Sequence, residues 1–196
     1  MAGLSFFGFS LGLVVRADLG LAPWDVFHQG VSQQLGWSLG TVIVATSFVV
    51  VVLWIPIRER PGIGTLANAV LVGIWVDISL WILPEVLSSL VLRFVVLAVG
   101  IVVNGVATGL YIGARFGSGP RDGLMTGLAA RGYSVRVVRT IIEAIVLISG
   151  FALGGSVGLG TVLFAVAIGP IAHQASPFFT GFTAAVHKES VMPSSA

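Results

Sequence analysis

The chain contains no cysteine, which excludes disulfides, thiol catalysis and thiolate metal sites. Charge is scarce too: only 9% of the 196 residues are Asp, Glu, Lys or Arg, against roughly 25% in a soluble domain. With 56% hydrophobic residues and a mean hydropathy of +1.04, the solvent of this chain is lipid. Ten cations scattered between apolar runs form no basic stripe, so the formal charge of +2 carries no nucleic-acid footprint. His28, His173 and His187 stand apart from one another and from paired carboxylates, so no metal or cofactor is expected. No Gly-x-Gly-x-x-Gly loop follows a strand, and no nucleophile elbow frames a serine. No catalytic residues are therefore assigned, and an intramembrane enzyme ranks last among the readings below. The apolar N-terminus has no Lys or Arg before Arg16, so it lacks the basic region of a signal peptide and reads as a retained helix.

What the chain does have is apolar length. A crossing needs about 20 apolar residues, and runs near 2–16, 38–57, 63–83, 87–114, 135–153 and 160–184 come close to that or fall somewhat short. They predict an all-α polytopic membrane protein of about six transmembrane helices. Residues 1–196 form one membrane domain, with a short cytoplasmic tail over 185–196, in the bacterial cytoplasmic (inner) membrane. A shorter, more polar stretch follows the first run, and another follows the fourth.

These two stretches match. LGLAPWD at 19–25 aligns with FGSGPRD at 116–122, and the same shift of 97 superposes Gly8 on Gly105, Gly12 on Gly109, Leu13 on Leu110 and Gly30 on Gly127. After a one-residue gap the shift is 96, placing Gly36 on Gly132, Ser38 on Ser134, Thr65 on Thr161 and Gly73 on Gly169. The chain thus reads as two copies of one three-helix unit, near 1–84 and 87–184. An odd number of crossings per unit inverts the second copy in the membrane. The cations agree with that topology. Six crossings place Arg58, Arg60, Arg115, Arg121, Arg131, Arg136, Arg139 and Lys188 on one side and only Arg16 and Arg93 on the other. Cytoplasmic loops collect Lys and Arg, so both termini are expected in the cytoplasm. Counting the short stretches as full crossings leaves five cations on each side and no bias. The first helix is shorter than its mate by about two turns, which predicts a start upstream of Met1 or a first helix packed as a stub.

DLGLAPWDVFHQGVSQQLG, PGIGTLANAVLVGIWVD, GSGPRDGLMTGL, RTIIEAIVLISGFALGG and GLGTVLFAVAIGP together resemble the YczE-like bacterial membrane proteins, relatives of the YitT group. The resemblance spans nearly the whole chain and departs from the family at the short N-terminus. It implies an integral membrane protein of a family whose activity is unassigned and for which transport is often suggested.

The candidate site begins at the Pro-x-Asp pairs. Pro23 and Pro120 suit the first helical turn, and Asp25 and Asp122 then face the positive end of the helix dipole. Gly20 and Gly117 precede them. One reading is structural capping or an interfacial helix. The other is two half-helices that dip in from opposite faces, with their N-termini on a shared cavity for a small solute. Ionisable groups within apolar runs are costly and need a reason. Asp77 and His173, mates at a shift of 96, could titrate as a proton-coupling pair or sit at the interface. Glu143 shares a helical face with Arg139 and Arg136, which predicts an ion pair. Asn68 lines a polar path or bonds a neighbouring helix. Gly8, Gly12, Gly105, Gly109 and Gly113 predict a close seam between the two units, with a homodimer face as the alternative. Trp24, Trp37, Trp54 and Trp81 read as interface anchors. The leading expectation is a small-solute transporter or permease, with solute, proton and lipid as partners. Its rival is an accessory protein that stabilises a membrane complex.

Overall fold

A computed structural model describes residues 2–85, 87–113, 118–172, 174 and 175. The described residues form helices and connecting turns, without strands. In chain order these are α1 (Ala2–Ala17), α2 (Pro23–Leu35), α3 (Leu39–Val52), α4 (Trp54–Ile57), α5 (Ile63–Ile82), α6 (Leu90–Gly113), α7 (Pro120–Ala129), α8 (Val135–Ala152) and α9 (Leu159–Ala172). Among the described residues three segments are long and apolar enough to cross a membrane: Leu39–Ile57, Ile63–Ile82 and Leu90–Tyr111. At 1.5 Å per residue, the 20 residues of α5 span about 30 Å, the thickness of the hydrocarbon. α1 and α9 are apolar but shorter, and α8 carries Arg136, Arg139 and Glu143 within its 18 residues.

The run expected over 38–57 divides at Leu53 into α3 and α4. Pro56 has no N–H for the carbonyl of Val52, so the ladder is interrupted there. Arg58 then closes the segment in the left-handed region at φ 54°.

Large apolar side chains cover the outside, as lipid requires. On α6, Val91, Val95, Val99, Val102 and Val106 recur every three or four residues and are exposed, and on α8 Ile141, Ile145, Ile148 and Phe151 do the same. Inside, α1 lies between α5 and α6. It runs antiparallel to α6, because a Cβ on Gly3 would stand 3.2 Å from Leu110 Cβ while one on Gly100 would stand 3.2 Å from Leu13 Cβ. These glycines let the two backbones close up.

The expected glycine seam is therefore corrected. Gly8 packs on Trp75 and Val72 of α5, Gly12 on Ser79 of α5, and Gly105 on Ile171 of α9. Each lies within its own half of the chain, and these faces are occupied, which takes them from the homodimer alternative. A small-xxx-small pattern marks close approach without naming the neighbour. Where α1 meets α6, the halves close on Gly3 and Gly100 instead.

Two short helices tie the halves crosswise. α2, from the first half, packs on α8 from the second, while α7 packs on α3 and α4. The turn at Leu19–Leu21 meets residues 156–160, with Gly160 N donating to Leu19 O at 2.6 Å and Leu21 N to Ser156 O at 3.2 Å. Reciprocally, Thr65 Oγ1 at the start of α5 donates to Ser118 O at 2.7 Å.

Arginines close the helix ends on one side. Arg93 pairs with Asp18 at 2.7 Å and donates through Nε to Ala17 O at 2.8 Å, and Arg16 donates to Leu80 O. Placing cations at the carbonyl ends of α1 and α5 offsets the negative pole of each dipole.

Candidate functional site

A cavity of about 470 Å³ opens where the first turns of α2 and α7 approach one another between α1, α5, α6, α8 and α9. Both short helices begin at proline, whose fixed φ and missing N–H fit the first helical position. Each then places Asp25 or Asp122 in its first turn. Pro23, Asp25, Pro120, Asp122, Asn68, Arg139 and Glu143 all line this one cavity. Neither Asp77 nor Gly20 does. His173 and Gly117 lie outside the described residues.

The two aspartates differ in their surroundings. Asp25 is 4% exposed and has His28 Nδ1 3.4 Å from its Oδ1, whereas Asp122 is exposed. Between them the Arg121 guanidinium lies over the Trp24 ring at 5.6 Å from its centroid. A cation over an indole is worth about 0.5 to 2 kcal/mol, the upper end where water is excluded. Trp24 and Arg121 occupy the same position of the two repeats, separated by 97 residues. The Trp24 Nε1 donor is buried without a hydrogen-bond partner among the described residues.

Asn104, Thr108 and Tyr111 of α6 supply the polar wall, which sequence reasoning missed. Asn104 is 2% exposed and donates to Ser10 Oγ at 2.8 Å, while Ser10 Oγ donates to Phe7 O at 2.6 Å. The signal was present in the repeat, since Asn104 and Thr108 stand where α1 has Phe7 and Leu11. Polar groups that replace apolar ones in one copy of a duplicated helix mark that copy's inner face. His28 was missed because its meaning depends on Asp25, one helical turn earlier. Trp24 and Trp54 also depart from expectation, being 7% and 2% exposed rather than anchored at an interface, while Trp37 and Trp81 are exposed at helix ends.

Arg139 Nε lies 2.9 Å from Glu143 Oε1, with the two side chains 57% and 32% exposed. Such an i,i+4 pair contributes about 0.3 to 0.5 kcal/mol. Glu143→Ala is accordingly expected to leave the unfolding midpoint in detergent almost unchanged, so a large loss of function in that variant would report on the cavity.

Asp77 serves a different element. Its carboxylate accepts from Ser38 Oγ at 2.6 Å and from Gly40 N at 2.7 Å, which anchors the start of α3 to the end of α5. Gly20 has φ +107°, a conformation costly for other residues, and Gly158 packs against it. It sets the turn that aims α2 at the cavity. Among the described residues no cluster of three His, Cys, Asp or Glu could hold a metal.

Residues 1–177 match the model of DUF6198, a family of unknown function. The chain belongs to this family. It is 41% identical over 171 residues to an uncharacterized protein of Haemophilus influenzae, covering 86% of this chain and 77% of that one. It is 35% identical over 179 residues to the uncharacterized membrane protein YczE of Bacillus subtilis, with 90% and 83% covered. The protein YyaS of Bacillus subtilis is 28% identical over 181 residues, with 89% of each chain covered. The YczE-like resemblance thus holds across nearly the full length. No solved structure matches. With its apolar helices, this DUF6198 chain is a membrane protein in contact with the lipid bilayer.

Proposed function

We propose that this DUF6198 protein is a small-solute permease of the bacterial inner membrane. Six crossings in two inverted three-helix units would bring the half-helices α2 and α7 in from opposite faces, with both termini cytoplasmic. The observation that carries the reading is the convergence of Pro23–Asp25 and Pro120–Asp122 on one cavity. Helix starts from two halves of a repeat, meeting around a cavity lined with charged side chains, are the arrangement by which several transporter folds bind their solutes. Irregular backbone inside a bilayer is tolerated where protein or a cavity covers it, and here the segments before α2 and α7 line one.

Paired contacts support the inversion. Gly8 on Trp75 is matched by Gly105 on Ile171, and Gly30 on Leu153 by Gly127 on Ile57, each pair related by shifts of 97 and 96. Two units that repeat each other's contacts while their first helices run antiparallel would be related by an axis in the membrane plane. The eight-to-two cation bias supports cytoplasmic termini.

The reading assigns no enzymatic step. Asp25, Asp122 and Asn68 would contact solute, with proton as a candidate coupling ion, whereas Asp77 would act through α3. The test is flux into liposomes containing the purified protein and an entrapped pH dye, challenged with amino acids, small amines, organic acids and sugars in turn. Loss of one charged contact of about 1.4 kcal/mol lowers affinity tenfold. Asp25→Asn and Asp122→Asn are each expected to reduce solute-dependent flux by at least about that factor. Flux indifferent to both changes would remove the proposed site, and no flux with any solute would favour an accessory role in a membrane complex.

A further inference from the structure

A second, much smaller space shares Trp24 and Arg121 with the cavity as lining residues. It holds about 10 Å³, roughly room for one water, and its walls include His28, Ile43, Ser47 and Val72. The repeat mates of these four are Met125, Arg139, Glu143 and Ile168, and all four line the large cavity. Trp24 and Arg121, mates of each other, line both spaces. The void is therefore the counterpart, in the first half of the chain, of the cavity corner in the second. One corner is open and the other shut. The same contrast separates Asp25, 4% exposed, from its mate Asp122, which is exposed.

We infer that the void is the collapsed form of a second cavity facing the opposite side of the membrane, and that the two corners exchange shape, one closing as the other opens. The inference rests on the permease reading above and gives it a route. Two units of one fold can each adopt the conformation the other holds, so exchanging the two states leaves the overall packing of the same kind. Both walls share Asn68, Trp24 and Arg121, and the last two, mates of each other, are the fixed point about which the units would rock. Divergence between the copies, Ile43 against Arg139 and Ser47 against Glu143, makes the two states unequal in energy and fixes which one predominates. The partnerless Trp24 Nε1 adds to the cost of the state with the void collapsed.

The absence of cysteine makes the test direct. Single substitutions Thr108→Cys in the cavity and Val50→Cys in the wall of the void would be labelled with a membrane-impermeant methanethiosulfonate in right-side-out and inside-out vesicles. Arg60→Cys, exposed just before α5, and Ser89→Cys, exposed just before α6, calibrate the two faces. Ile43→Cys, also in the void wall, replaces Val50→Cys if that variant does not fold. Thr108→Cys is expected to react from one face and the void cysteine from the other. A minor state populated at 0.1 to 10% slows the second reaction by about 10- to 1,000-fold relative to the first. A void cysteine that reacts from the same face as Thr108→Cys, or from neither face, overturns the exchange. Liposome flux separates this inference from the reading beneath it. Opposite-face labelling without flux of any solute keeps the exchange and removes the permease, whereas flux with a silent void cysteine keeps the permease and removes the exchange.

Discussion

Replacing Trp54 with alanine is expected to destabilise the fold by about 3 to 5 kcal/mol, the usual cost of removing a buried aromatic ring. Trp54 is 2% exposed, and its Nε1 donates to Pro120 O at 3.1 Å. The ring fills the space left by Gly123, where a Cβ would collide with Cζ2 and Cη2 of the indole. This knob and hole dock α7 on α4 and so set the position of Pro120 and Asp122. The reciprocal junction reverses the sizes. There α8 offers Gly150, the repeat mate of Trp54, and α2 supplies Val26 and Phe27, so that a Cβ on Gly150 would strike the backbone of α2. Trp54→Ala is expected to lower the midpoint of thermal unfolding in detergent and to loosen α7. Trp54→Phe, which keeps much of the ring and loses the donor, should lie between the two. A midpoint unchanged in Trp54→Ala would show that α7 is held by other contacts.

The second large effect is expected at Asp77. Hydrogen bonds to a charged acceptor are worth about 1.5 to 3 kcal/mol each, and the Asp77 carboxylate accepts one from Ser38 Oγ and one from Gly40 N. Asp77→Ala removes both and leaves the N-terminal donors of α3 without their partner, a loss of about 3 kcal/mol or more at the lower end of that range. Asp77→Asn retains one acceptor oxygen and should lose roughly half as much. Comparing the denaturation midpoints of the two variants with solute flux separates an anchoring role from a proton-coupling one. Flux that falls only in step with folded protein identifies an anchor. A folded Asp77→Asn protein whose flux no longer depends on a pH gradient would restore Asp77 to the coupling path.

Much of this arrangement is legible in the chain because it rests on local rules. Apolar length marks α3 to α6, proline followed by aspartate marks the starts of α2 and α7, and the 97-residue shift brings Trp24 and Arg121 into register. The remainder depends on partners distant in sequence. Trp54 resembles an interface anchor until Gly123 supplies the hole beneath it, and Gly8 and Gly12 resemble a seam between units until Trp75 and Ser79 prove to be their neighbours. Asp77 resembles a charge stranded in lipid until Ser38 and Gly40 arrive from α3. Arg121 counted only as a cation, because nothing in its own helix reveals the indole it covers. Residue type gives the capacity for a contact, and the fold decides the recipient.

The Trp24–Arg121 contact has a bearing on why the unit occurs twice in one chain. At the axis of a symmetric pair of identical chains, a residue meets its own copy. An arginine there would face an arginine and be repelled, and a tryptophan would face a tryptophan and leave the centre without charge. Within a single chain, positions 24 and 121, related by the 97-residue shift, are free to hold two different residues, and here they hold a ring and the cation that covers it. Trp24→Arg or Arg121→Trp would put like residues at both positions and remove that pairing of cation and ring.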